Sequence, residues 1–359
     1  MVGAGIVGCA IAEELASRGA DVHLIDSRGA ARGATRASAG ILAPTIEGHT
    51  PALRRLAASS LALYDDFVRR VEGASGRRLD YRRTGSVWVS YAAGIAPDLV
   101  AEARSLREAG IEHELLGRDE LRRVMPGLSG RATAGLLVPE HGYVRAAELT
   151  LALLAAAVAH GARISTSRVH EIDARHGPVR VRIDGGTLEA DAVVVASGSW
   201  PVDLRPDRAP TVTPIRGQLV HLQADAASLS RVVWGPDCYL VPWQDGSTLV
   251  GATVEDVGFD ERSTAEGVRE LLAAAVELLP ALRGAALRDV RVGLRPRASD
   301  ELPVIGRSPS MPGVYYALGH YRNGVLLSPL TALLLADLVL EGRERAELEL
   351  VRPDRMELA

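Results

Sequence analysis

Glycines at positions 3, 5 and 8, followed by a carboxylate at position 26, form a pattern suited to binding a phosphorylated ligand. Gly3-x-Gly5-x-x-Gly8 leads into Ala10, Ile11, Ala12 and Leu15 on one helical face, then Gly19, the apolar run Val22-His23-Leu24-Ile25 and Asp26. Glycines let the backbone approach a pyrophosphate, the helix N-terminus offers its N–H groups, and a terminal carboxylate can hold ribose hydroxyls. Together these make a dinucleotide-binding fingerprint. The bland alternative, a glycine-rich turn of some other α/β protein, explains the glycines but not the helix and Asp26 that follow them. Cys9 lies inside the same helix, where a small buried hydrophobe is its expected role.

A second small-residue stretch, Arg32-Gly33-Ala34-Thr35-Arg36-Ala37-Ser38-Ala39-Gly40-Ile41-Leu42-Ala43-Pro44, suggests backbone pressed against a flat ligand. A third contact is expected where the strand Ala192-Val193-Val194-Val195 runs into Ala196-Ser197-Gly198-Ser199-Trp200. Only Met1 and Val2 precede the first turn, whereas strands usually run about 3 to 10 residues. The expectation is therefore that the natural start lies upstream, which mass spectrometry of the native N-terminus would test.

The elements that must position these residues follow from periodicity. Helices are expected over 51–71, 97–109, 117–124, 145–160 and 265–279, with strands over 85–90, 179–183 and 190–195. Residues 214–253 read as mainly β, and the block 290–342 as a turn, a strand over 314–318 and a long apolar helix opened by Asn323-Gly324. These segments interleave, so two discontinuous domains are expected: 1–80, 140–210 and 288–345 around the cofactor, 81–139 and 211–287 around the substrate, and 346–359 as a C-terminal tail.

Composition bounds the function. A chain of 359 residues can bury a large core and form two domains, and a net charge of −4 gives no reason to expect nucleic acid or an acidic membrane as partner. There is no lysine, so every lysine-based step, including Schiff bases and activation of oxygen by lysine, is excluded. Two cysteines, Cys9 and Cys238, suit a reducing compartment and lack metal-site spacing, so no metal is expected. The apolar stretch 325–340 is broken by Ser328, Pro329, Thr331 and Asp337 and is shorter than the roughly 20 residues of a membrane span. No signal peptide is visible ahead of the glycine turn, so a soluble, cytoplasmic protein is expected.

Four blocks carry a resemblance over nearly the whole chain: the glycine turn with Asp26, the run 33–40, Gly293-Leu294-Arg295-Pro296, and Gly319-His320-Tyr321-Arg322-Asn323-Gly324. On these the chain resembles the FAD-dependent amine and D-amino-acid oxidase family. Cys238-Tyr239-Leu240-Val241-Pro242 and the long run from Val250 through Glu255 and Phe259 to Asp260 point within it to the branch that oxidises glycine for thiamine thiazole synthesis. The resemblance implies an α/β fold: a glutathione-reductase-type FAD-binding Rossmann domain with a discontinuous α+β substrate domain built on a mixed sheet. It implies FAD contacts from Gly3, Gly5, Ile6, Val7, Gly8, Asp26, Ser27, Ala34, Thr35, Ala39, Gly40, Ile41, Val169, Ser197, Gly198 and His320-Tyr321-Arg322-Asn323-Gly324-Val325-Leu326. With no cysteine after Cys238 available for attachment, non-covalent FAD is expected.

The chemistry implied is movement of a hydride from the substrate α-carbon to the flavin, leaving an imine that water hydrolyses to glyoxylate and ammonia, with molecular oxygen as acceptor and hydrogen peroxide as product. Arg295 would hold the substrate carboxylate as a planar two-pronged cation, Tyr239 would bond the same group or close the pocket, and Arg322 would line it. The competing roles are an ion pair of Arg295 with Asp300 or Glu301, a packing tyrosine and a surface arginine. No acid/base residue is required, and His141 and His320 are weak candidates only. Asn323-Gly324 would aim the N-terminus of the apolar helix at the flavin N1–O2 edge, and Arg297 would either crowd the pocket or add a second cation. Three other functions compete: a D-amino-acid dehydrogenase with a non-oxygen acceptor, a flavin-binding module without turnover, and an NAD-dependent dehydrogenase. The 239–260 match disfavours the first, and the later arginine blocks have no role in the other two. A small amino-acid substrate is the expected partner; a homo-oligomer is compatible with the sequence, which does not set the number of subunits.

Overall fold

The strands expected on either side of the glycine turn need a central partner, and Val2 supplies it. Its N–H donates to the Val194 carbonyl (2.9 Å) and its carbonyl accepts from Ala196 N–H (2.8 Å), while Gly3 N–H donates to Ile25 (2.8 Å). Val2 thus bridges His23–Asp26 on one side and Val193–Val195 on the other, both parallel. His23–Asp26 pairs in parallel with Arg163–Thr166, and Val193–Val195 with Val314–Leu318, whose other edge takes Val304–Arg307 antiparallel. The computed structural model describes residues 1–45, 50–207, 209–224 and 229–356.

Helices Ile6–Ser17, Ala146–Ala159 and Ser328–Glu341 pack against this layer because their Ala, Leu and Ile faces bury there; Ile11, Leu149, Leu153, Leu334 and Leu335 are all fully enclosed. The second half is an eight-stranded mixed sheet in the order Ala286–Arg297, Thr213–Gln223, Ser247–Gly251, Tyr239–Pro242, Val232–Trp234, Ser86–Ser90, Ala134–Val138, Glu114–Gly117. Helix Ala265–Leu278 covers its core through Leu271, Ala275 and Leu278. The remaining strands form a four-stranded sheet around Val169–Asp173 and a three-stranded one joining Ile41–Leu42, Gly142–Val144 and Tyr81–Arg82.

Four expectations are corrected. The helix expected over 51–71 is two helices, Pro51–Ala62 and Tyr64–Ser75, meeting at Leu63, whose N–H bonds Ser60 three residues back. That junction is pinned from outside: Ser60 Oγ donates to the Leu326 carbonyl (2.7 Å) and the Tyr64 hydroxyl to that of Val325 (2.5 Å). The apolar helix starts at Ser328, not at Asn323-Gly324, because Pro329 in its first turn fixes the start and Asn323–Leu327 forms a separate turn closed by Leu327 N–H on Asn323 (2.8 Å). The strand expected over 190–195 is split into Gly186–Ala190 and Val193–Val195. Finally, the block opening near 290 holds a twelve-residue strand, Ala286–Arg297, rather than only a turn; it is an edge of the eight-stranded sheet, and a domain boundary at 288 falls inside it. The tail docks through buried Leu348 and Val351, and residues 357–359 lie outside the described residues.

Candidate active site

Helix Ile6–Ser17 begins at Gly5, which offers no side-chain cap, and has no acidic residue in its first turn, so its positive dipole end is open to an anion although Ile6 N–H itself is taken by Thr35. Gly3 adopts φ +104°, and a Cβ there would lie 2.3 Å from the Ala196 carbonyl oxygen, so only glycine lets the turn pass this close to the next strand. Thr35 Oγ1 accepts from Ile6 N–H (3.1 Å), tying the small-residue loop to the helix start. Asp26 accepts from the backbone N–H of Ala4 (2.8 Å) and of Arg28 (2.7 Å), which fixes the carboxylate at the strand end.

Two cavities open from this point, and they share Gly5, Ala34, Thr35, Ala196 and Gly198. The larger, about 590 Å³, is lined by Gly3, Asp26, Ser27, Val169 and Ser197 with Arg28, Trp200 and Phe259. The other, about 360 Å³, is lined by Ile6, Val7, Ala39, Gly40, Ile41 and the whole turn His320-Tyr321-Arg322-Asn323-Gly324-Val325-Leu326. Every expected cofactor contact therefore borders one cavity or the other except Gly8. A Cβ on Gly8 would sit 1.9 Å from the Gly3 carbonyl oxygen, so this glycine packs the helix against the turn and does not line the site.

The smaller cavity also gathers Arg295, Tyr239 and Arg322. Arg295 rises from the edge strand and lies across the neighbouring strand at Gly217, where a Cβ would come within 2.4 Å of its Nη atoms. Its Nη1 donates to the carbonyls of Thr253 (3.1 Å) and Arg216 (3.4 Å), and no carboxylate among the described residues pairs with it. The alternative ion pair with Asp300 is absent: Asp300 is held by Arg355 at 2.9 Å. Tyr239 stands edge-on to Trp234 (ring centroids 5.2 Å apart), its ring lying over Gly251 where a Cβ would fall 2.3 Å away. Arg322 reaches the Tyr321 hydroxyl (3.3 Å). Arg297 pairs with Asp256 (3.4 Å) and is not among the residues lining either cavity.

Of the two histidines, His320 borders the smaller cavity and His141 borders neither cavity. His141 is fully buried between the hydroxyls of Thr45 (2.9 Å) and Ser86 (2.7 Å), a structural position. His320 is buried beside Thr331 (3.1 Å), and burial pushes its pKa down to about 4, so it is neutral near pH 7. Burial raises both thiols, Cys238 to about 12 and Cys9 further, so neither is a ready nucleophile.

Gly217 and Gly251 are the site residues that the sequence reading missed. Their signal was present: glycine inside a strand marks a close approach by another group. Tyr321, an expected cofactor contact, borders the smaller cavity and adopts φ +48°, a left-handed backbone uncommon for a non-glycine residue.

These residues fit FAD. The glycine cradle and uncapped helix suit a pyrophosphate, the larger cavity an adenosine, and the flat floor of small residues from Ala34 to Ile41 an isoalloxazine. Among the described residues no cluster of metal-ligating side chains exists and no helix is long and apolar enough to cross a membrane.

Residues 1–338 match the family described as FAD dependent oxidoreductase, DAO. A glycine oxidase of Geobacillus kaustophilus is 35% identical over 352 residues, covering 96% of this chain and 93% of that protein. A bifunctional ThiO/ThiG protein of Synechocystis sp. is 34% identical over 364 residues, covering 99% of this chain but 53% of the relative, so the chain spans about half the length of such bifunctional relatives. The crystal structure of the Geobacillus kaustophilus glycine oxidase superposes with a TM-score of 0.89 at 32% identity, covering 96% of this chain and 94% of that one. An iminodiacetate oxidase from Chelativorans sp. gives 0.87 at 28% identity, covering 98% of each.

Proposed function

The chain belongs to the FAD-dependent oxidoreductase family of amine and D-amino-acid oxidases, and from that premise we propose that it oxidises glycine, or an amine nearly as small, to the imine. The proposal includes molecular oxygen as acceptor, non-covalently held FAD, and supply of iminoglycine for the thiazole of thiamine. The relatives named glycine oxidase and ThiO/ThiG support that reading.

The observation that carries it is Arg295. A guanidinium held only by backbone carbonyls, in a cavity that also holds Tyr239 and Arg322, is a ready receptor for a substrate carboxylate. Bound there, the substrate is oriented by two N–H donors, with the Tyr239 hydroxyl able to bond the same group. Trp234 and Val254 contribute apolar wall to the same cavity. FAD, when bound, would supply the acceptor for the hydride, which carries both electrons of the oxidation. Hydride loss from the neutral amine gives an iminium that releases its N–H proton to water to become the imine, and His320, uncharged near pH 7, is assigned no part in that transfer. FAD would be held by Gly3, Gly5 and the helix N-terminus at its phosphates, by Asp26 at a ribose, and by residues 34–41 and 320–326 at the ring.

An anaerobic titration of the yellow holoenzyme with glycine, followed by admission of air, tests this. Bleaching of the flavin band and its recovery with peroxide are expected. Bleaching without recovery in air would replace the oxidase by a dehydrogenase with another acceptor, and no bleaching would remove glycine as the substrate.

A further inference from the structure

The run Thr253-Val254-Glu255-Asp256-Val257-Gly258-Phe259-Asp260 is among the most specific in the chain, yet the chemistry above uses little of it. Its base is fixed to the large sheet. Buried Arg216 donates to Asp260 (2.9 Å) and to the Arg262 carbonyl (3.1 Å), and it also pairs with Glu255. The backbones of Arg216 and Glu255 exchange hydrogen bonds in both directions (2.8 and 3.0 Å), and Gln218 and Thr253 satisfy the remaining Glu255 oxygen.

Its tip leaves the sheet and meets the other half of the molecule. Phe259, 49% exposed, stacks on Trp200 with ring centroids 5.0 Å apart and planes at 29°. The Arg28 guanidinium lies 5.3 Å from the centre of the Trp200 ring and pairs with Glu261 at 3.1 Å. Arg28, Trp200 and Phe259 all border the larger cavity, and the Arg28 N–H bonds the Asp26 carboxylate. Two contacts of different physics, a ring stack and an ion pair, therefore join this segment to the strand ends that frame the nucleotide crevice.

We propose that residues 253–262 form a clasp over the adenosine half of FAD, with Phe259 closing on Trp200 and Glu261 on Arg28, so that release of the cofactor requires these contacts to part. The proposal rests on the reading that the larger cavity takes that half of FAD. Asp260 and the Arg262 carbonyl stay on Arg216, so the two contacts part by turning the Phe259 and Glu261 side chains, which leaves undisturbed Arg295, a donor to the Thr253 and Arg216 carbonyls.

The test is the rate of FAD release from the holoenzyme, followed by recovery of free-flavin fluorescence after dilution, with FMN as a second probe because it lacks the adenosine half. Phe259→Ala and Trp200→Ala are each expected to speed FAD release about 3- to 10-fold, as loss of an aromatic pair would. The double variant should be little faster than either single one, since both remove the same contact. Phe259→Leu, which keeps apolar bulk without the flat ring, should fall between. Glu261→Gln should speed release about twofold at low salt and not at high salt, as a half-exposed ion pair would. FMN release should be unchanged in all of them. Equal acceleration for FMN would overturn the clasp in favour of general loosening. Asp26→Ala separates the premises: if it speeds FAD release while Phe259→Ala and Trp200→Ala do not, the clasp fails and the cavity reading stands. If Asp26→Ala also has no effect, the cavity reading falls and the clasp with it.

Discussion

A guanidinium that donates its internal hydrogen bonds only to carbonyl oxygens keeps its charge available, and this separates Arg295 from the many surface-paired arginines of a chain with no lysine. Replacing it by Lys substitutes a point charge for a planar fork, so Arg295→Lys should raise KM for glycine about 10- to 100-fold while FAD stays bound, the loss expected for charge-assisted hydrogen bonds. An unchanged KM would move the carboxylate to Arg322. Gly217→Ala makes the same point without touching the charge. Its Cβ would land 2.4 Å from the guanidinium nitrogens, so Arg295 must shift, and KM should rise with the flavin spectrum unaltered. At this scale the sequence was legible where chemistry and local motif coincide, as at Arg295. It was opaque at Gly217, because the reason for that glycine is a side chain 78 positions away on a neighbouring strand.

Helices here are held at their ends as much as along their faces. Asp337, fully enclosed in Ser328–Glu341, takes Arg18 from the end of Ile6–Ser17 (2.7 Å) together with Arg343 (2.9 Å) and Arg345 (2.5 Å). Burial alone would raise its pKa, but the three guanidinium hydrogen bonds prevail and hold it down to about 2. The folded value lies below the ordinary 3.8 of a free aspartate, so the carboxylate stabilises the fold above that value, and the contribution is lost as pH falls from about 4 to about 2. Asp337→Asn should therefore cost on the order of 2 kcal/mol in urea unfolding at pH 7, with the gap to the parent protein closing across that acid window. A gap independent of pH would place the effect in packing. Element boundaries were the less legible part of this scale. Pro329 gave a local reason to start the last helix near 328, whereas the strand Ala286–Arg297 is defined by its ladder with Thr213–Gln223, a partner more than sixty residues earlier.

Across the whole molecule, the cavity walls draw on distant parts of the chain: Gly5, Gly40, Gly217, Arg295 and Leu326 all border the smaller cavity. The two halves meet tightly at Gly293, where a Cβ would stand 2.8 Å from Ala37 Cβ and 3.0 Å from Ala34 Cα. Interleaved motifs in the sequence carried the expectation of discontinuous domains, but this junction depends on three small residues meeting in space, which no local pattern records. A ligand that binds only the folded chain stabilises it by about 2.7 kcal/mol at a hundredfold excess over its Kd. FAD lying against both halves should therefore make them unfold together, so loss of helical ellipticity and release of flavin should share one denaturant midpoint that rises with added FAD. Gly293→Val drives a wedge into the junction. It should weaken FAD binding and separate the two signals, with flavin released before the helices melt. Coincident transitions in that variant would show that contacts away from the cofactor join the halves, and that FAD is a passenger in the fold's cooperativity.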